Sequence, residues 1–125
     1  MATSYTHFGT EIDAFCHSEL AKLKLPGYIF SHAGDGDLHV VFMPKADDDR
    51  EKEIVDRVYG LIVEKAIDAG DTATGEHGVW IGKVRFMERE HGAGIRWMRK
   101  IKEMFDPYNI LNPGKILPET RPFEE

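Results

Sequence analysis

Four residues in two short stretches have the types and spacing to do chemistry. In Ser31-His32-Ala33-Gly34-Asp35-Gly36-Asp37-Leu38-His39, two histidines flank the dipeptide Asp35-Gly36. Asp-Gly favours a two-residue type I′ hairpin, because both central positions of that turn need φ > 0. With that turn, Gly34 pairs with Asp37, Ala33 with Leu38, and His32 with His39. Directly opposed residues hold their Cβ atoms about 4.5–5.5 Å apart on one face, so two imidazoles could share one divalent ion. A lone strand histidine is ordinarily structural. The mirrored pair, with a third ligand candidate available, points to a metal.

The second stretch is Gly75-Glu76-His77-Gly78. Its glycines let the backbone approach a ligand and take conformations closed to other residues. Glu76 offers a carboxylate, and His77 an imidazole suited to proton transfer near neutral pH. On an extended strand adjacent residues face opposite ways. One consistent division therefore gives Glu76 to the metal beside His32 and His39 and leaves His77 as a base. Taken alone, the motif reads equally well as a solvent-exposed loop with incidental charges. Two histidines and a carboxylate leave coordination positions open for a substrate. With no thiolate in the set, zinc or manganese is favoured. His7, His17 and His91 have no comparable partners and read as surface or helix-end residues. There is no glycine-rich phosphate loop, nucleophile elbow or zinc-protease motif.

The elements that must position these residues follow from periodicity. Ile12, Phe15, Cys16, Leu20 and Leu23 predict a first helix over about 12–23, ended by Pro26-Gly27. Tyr28 to His32 and Leu38 to Met43 form the hairpin. Its histidine face carries Tyr28, Phe30, Val41 and Met43, and its other face Ile29, Val40 and Phe42. A ribbon apolar on both sides belongs in a sheet covered, at least in part, on both faces. Asp47-Asp48-Asp49 reads as the cap of a long helix running to about Ala69, complementing its dipole, rather than as a metal site. Ile54, Val55, Val58, Tyr59, Ile62, Ala66 and Ile67 make its packing face, and Gly70 is its stop. A short extended piece, Asp71 to Thr74, leads to the second motif. Further helices are expected from about Ile81 to Glu90 and from about Ala93 to Phe105, the last with Ile95, Met98, Ile101 and Phe105 inward. Asp106-Pro107 breaks it. The tail then keeps Ile110, Leu111, Ile116 and Leu117 as anchors, with disorder expected only after about Glu119.

Composition bounds the function. A chain of 125 residues is one domain's worth, residues 1–125, and small for a complete cofactor enzyme. Sixteen Lys and Arg against 22 Asp and Glu, a formal net charge of −6, argue against nucleic acid as a partner. No apolar run is long enough to span a bilayer. The N-terminus has no secretory pattern. Cys16 is the single cysteine, so no internal disulfide exists and a cytoplasmic setting is the default expectation.

Three motifs in order, His32-x-Gly34-Asp35-Gly36-x-Leu38-His39, Gly75-Glu76-His77-Gly78-Val79 and Ile110-Leu111-Asn112-Pro113-Gly114-Lys115-Ile116, carry a family likeness. Over about Tyr28 to Pro118 the chain resembles the C-terminal portion of the FAD-linked oxidases that include D-lactate dehydrogenase and the flavin subunit of glycolate oxidase. The connecting stretches Gly82-Lys83, Met87 to Gly92 and Met98 to Lys102 are similar too. The resemblance implies an α+β fold, an antiparallel sheet covered by helices, as the ferredoxin-like half of an FAD-linked oxidase C-terminal domain. It implies that His32, His39 and Glu76 hold a divalent metal beside the flavin, and that His77 takes the substrate hydroxyl proton while hydride leaves C2. It places Asn112 next to the flavin ring.

The chain departs from that pattern in three ways. Asp37 stands where asparagine is usual, Trp80 stands where glycine is usual, and no counterpart of the FAD-binding domain is present. The expected function is the substrate- and metal-binding part of an FAD-dependent 2-hydroxy-acid dehydrogenase, inactive without an FAD-binding partner segment. A small monocarboxylate is slightly favoured as substrate by Val41. The alternative is a non-catalytic metal-binding module that docks on a separate flavoprotein; metal-dependent hydrolysis shares the ligand set but has no specified substrate. A homodimer is a further expectation, since a missing neighbour leaves apolar surface to cover.

Overall fold

The computed structural model describes residues 2–3, 10–23, 25–32 and 34–118. The expectations for His7 and for disorder after Glu119 lie outside the described residues. The chain divides into two compact units, Met1–His77 and Gly78–Glu125, both helical and the first built on a sheet, which makes the class α+β.

In the first unit a two-residue strand, β1 (Ala2–Thr3), precedes helix α1 (Thr10–Lys22), the strands β2 (Gly27–His32) and β3 (Asp37–Phe42), and helix α2 (Asp49–Asp68). The sheet is antiparallel with order β1-β3-β2. Ile12, Cys16 and Leu23 from α1 and the residue after it are buried with Leu38, Val40 and Phe42 of β3. Val55, Val58, Tyr59, Ile62, Val63 and Ala66 of α2 complete this core. Phe15 and Leu20 of α1 are only half-buried. Val63 was missed by the three-and-four pattern, because the buried face of α2 is wider than a single stripe.

The aspartate run behaves as its position at a helix start dictates. Asp48 is the N-cap of α2, its side chain accepting from the Glu51 amide at 3.0 Å, while Asp49 pairs with Lys52 at 2.7 Å. Glu51 in turn accepts from the Lys45 amide at 2.8 Å, which ties the segment before the helix to its first turn.

The hairpin forms, but with a different loop. Ser31 pairs with Leu38 and His32 with Asp37, leaving residues 33–36 as a four-residue connection. His32 therefore does not oppose His39, whose partner across the ladder is Phe30. The reason lies in one dihedral. Gly36 has φ +78°, but Asp35 does not have positive φ, as a type I′ turn would demand of both. The Asp35 and Gly36 amides instead donate to the His32 carbonyl, at 2.9 and 3.0 Å. Because the register moved by two residues, an even number, His32 and His39 keep to one face.

The two faces of this sheet are covered unequally, the histidine face only around Asp37 and His39. Leu38, Val40 and Phe42 are buried, whereas Tyr28, Phe30 and Met43 on the histidine side are more than half exposed.

In the second unit, residues Ile81–Phe86 wind as a 3₁₀ turn before a short helix α3 (Met87–His91), where a single helix was expected. Helix α4 (Gly94–Phe105) follows. Of its expected inward residues Ile95 is buried and Met98 half-buried, but Ile101 and Phe105 are exposed. The expected tail anchors Ile110, Leu111 and Ile116 are exposed as well. Polar contacts order the tail instead. The buried Asp106 carboxylate accepts from the Ile110 and Leu111 amides, both at 2.9 Å, and pairs with Lys102, which also donates to the Leu111 carbonyl at 2.7 Å. Arg99 donates to the Pro118 carbonyl at 2.6 Å. These contacts satisfy backbone groups of a loop whose apolar side chains Ile110, Leu111 and Ile116 stay exposed.

Candidate metal centre and proton acceptor

The first unit brings His32, His39, Glu76 and His77 together. His32 ends β2 and His39 lies in the middle of β3, two rungs from the hairpin mouth. Their rings meet edge to face, centroids 5.1 Å apart at 86°. One ligand atom each from His32, His39 and Glu76 lies within 4.8 Å of the other two.

Glu76 and His77 reach this face together, which corrects the expectation that they point opposite ways. Residues 75–77 form a turn, not a strand, and Gly78 leaves it at φ +66°, a value glycine tolerates and other residues resist. The turn lets both side chains converge. Glu76 Oε1 lies 2.9 Å from His39 Nε2 and 3.0 Å from His77 Nε2. His39 and His77 also meet edge to face at 6.0 Å. His39 is buried, while His32 and His77 are exposed.

The donor set suits a divalent cation. His39 Nε2 is a buried nitrogen with no aligned hydrogen-bond partner among the described residues, although the Glu76 carboxylate is 2.9 Å away. Close approach without a directed hydrogen bond is a poor arrangement for two polar groups by themselves and a good one for two ligands of one ion. His17 and His91 take no part. His17 is exposed and 3.5 Å from Asp13, and His91 ends α3 beside Glu90 at 3.9 Å.

Asn112 belongs to the second unit. It takes φ +48°, unusual for a residue other than glycine, and lines an open groove of about 860 Å³ between α4 and the tail. Met98, Ile101 and Phe105 give this groove an apolar wall, and Arg99, Lys102 and Lys115 add positive charge. Its volume lies within the range of about 300–1,000 Å³ usual for ligand sites. The groove contains none of the histidine cluster. Sequence reasoning missed it because it treated Ile101, Phe105 and Leu111 as core.

Residues 5–116 match the family described as FAD linked oxidases, C-terminal domain, and the chain belongs to that family. It is 36% identical over 101 residues to the mitochondrial D-lactate dehydrogenase (cytochrome) of Arabidopsis thaliana, covering 80% of this chain and 18% of that protein. It is 43% identical over 97 residues to glycolate oxidase subunit GlcD of Bacillus subtilis, covering 77% and 21%. With the mitochondrial D-lactate dehydrogenase (cytochrome) 1 of Saccharomyces cerevisiae it shares 42% identity over 101 residues, covering 78% and 16%. The chain thus matches about a fifth of the length of these relatives. No helix among the described residues is long and apolar enough to cross a membrane.

Proposed function

We propose that this chain is the substrate- and metal-binding part of an FAD-dependent dehydrogenase acting on a small 2-hydroxy acid, of the D-lactate or glycolate type. The convergence of His32, His39 and Glu76 with His77 against the same carboxylate carries the reading. His32, His39 and Glu76 would hold the cation, and Asn112 would contact the flavin ring. When bound, FAD supplies the acceptor for the C2 hydride, and zinc or manganese supplies Lewis-acid polarisation of the substrate hydroxyl.

The chain's own residues do the rest. Glu76 turns His77 Nε2 toward itself, which leaves Nδ1 to receive the hydroxyl proton. The exposed position of His77 gives a substrate access to that nitrogen. His77 would take the hydroxyl proton of a 2-hydroxy acid, and bound FAD would supply the two-electron acceptor that the change to a 2-oxo acid requires. The remaining flavin contacts come from polypeptide outside these 125 residues, on the same or a partner chain.

Zinc and manganese titration of the wild-type chain against His32→Ala and His39→Ala tests the site. One tight equivalent is expected for wild type, weakened at least about 100-fold in either variant, since each removes a direct ligand. Unchanged binding removes the metal. With FAD, D-lactate or glycolate and an electron acceptor, the isolated chain is expected to show no turnover; addition of an FAD-binding segment should restore it, and His77→Ala should abolish it.

The second reading is a non-catalytic metal module docked on a flavoprotein. The exposed Ile101, Phe105 and Ile110 of the second unit favour it. Metal binding that persists with no restorable turnover would select it.

A further inference from the structure

We propose that Asp37 is a positioning residue for the metal centre, accepting the N–H of the His32 ring nitrogen that does not bind the cation. This rests on the metal reading above. Asp37 is only 6% exposed, and its Oδ1 has no hydrogen-bond partner among the described residues. A buried carboxylate oxygen without a donor is costly, and a fold retains one where a donor or cation completes it.

Geometry selects the donor. Asp37 is the cross-strand partner of His32 and lies two residues before His39, so all three side chains share one face. His39 is held by Phe30, which stacks on it at 4.7 Å and 8°, and its Nε2 faces Glu76. His32 is exposed and pinned by no such stack, so its ring can turn. An imidazole that gives one nitrogen to a metal carries a hydrogen on the other, and a carboxylate acceptor fixes both tautomer and ring orientation. Asp37 itself stands outside the group of mutually close ligand atoms, as expected of a residue that supports a ligand.

Zinc titration of the full chain, with ¹⁵N-histidine NMR of the loaded form, tests this. Wild type is expected to show a strongly downfield His32 ring proton from the carboxylate hydrogen bond. Asp37→Leu should lose that signal and bind zinc about 10- to 100-fold more weakly. Asp37→Asn keeps an acceptor oxygen and should stay within about threefold of wild type, with the proton retained but less shifted. Equal affinity in all three chains overturns the role of Asp37 and leaves the metal reading standing. Equal weakening in both variants also overturns it, since charge alone would then explain the effect. Should Asp37→Leu fail to fold, absence of the His32 proton signal from the zinc-loaded wild-type spectrum overturns it. A wild-type chain that takes up no zinc overturns both inferences.

Discussion

Phe30 stacks face to face on His39, ring centroids 4.7 Å apart and only 8° from parallel, because the hairpin register makes the two residues direct cross-strand partners. The ring of His39 is thereby fixed from below while its Nε2 faces Glu76. Aromatic pairs of this kind are worth about 0.5–1.5 kcal/mol beyond their buried area. Phe30→Ala should therefore weaken zinc or manganese binding about 2- to 12-fold without removing a ligand, while Phe30→Tyr should bind like wild type. Calorimetric titration of the three chains checks this.

Asp48 ties the start of α2 to its own first turn through the Glu51 amide at 3.0 Å. Asp48→Ala should cost about 1 kcal/mol, the usual value for loss of an N-cap acceptor, and Asp48→Asn much less. Urea unfolding followed by circular dichroism reads the difference as a lower midpoint with the same slope.

Asp106 has its carboxyl lowered below the ordinary value of 3.8, chiefly by the Lys102 hydrogen bond, with the Leu111 and Ile110 amides adding to the effect against desolvation. A lowered folded-state pKa means that the unfolded chain binds the proton first. The stabilisation is complete above the ordinary value and is lost as pH falls below it. Amide exchange at Ile110 and Leu111 should accelerate relative to intrinsic rates below pH 3.8 in the wild type. In Asp106→Ala the two amides should exchange fast at every pH.

Cys16 is fully buried in the core, and burial pushes its thiol up from 9.0 to about 12, with Asp13 and Glu19 adding repulsion. Iodoacetamide at pH 8 should leave it unmodified in the native chain and alkylate it once urea unfolds the protein. The raised value also sets a sign. Between pH 9 and about 12 the folded state holds a proton that the unfolded state has released, so stability falls as pH rises through that window. Cys16→Ala should flatten that slope, which urea midpoints at pH 8 and 10.5 would reveal.

Much of the site was legible in the sequence, for local reasons. Asp47-Asp48-Asp49 preceded a helix pattern, and capping preferences identified its start to within two residues. The histidines on either side of Asp35-Gly36 had to face one way under any hairpin whose register differed by an even number of residues. The exposed helix and tail were misread for the opposite reason. Ile101 and Phe105 have the spacing of core residues and Ile110 and Ile116 the apolar character of anchors, but neither signal reports whether anything covers them.

The sequence by itself determined the residue types of the site and their grouping on a hairpin and a Gly-Glu-His-Gly motif, because turn propensity and alternation act over a few residues. Only the tertiary structure decided the contacts. It placed Phe30, not His32, opposite His39, since Asp35 does not adopt the positive φ that a two-residue turn requires. It also brought Glu76 from more than thirty residues away to 2.9 Å from His39, through a turn that sends Glu76 and its neighbour His77 to one side. Which side chains meet across such separations is set by the packing of α1, α2 and the sheet, and no local pattern encodes it.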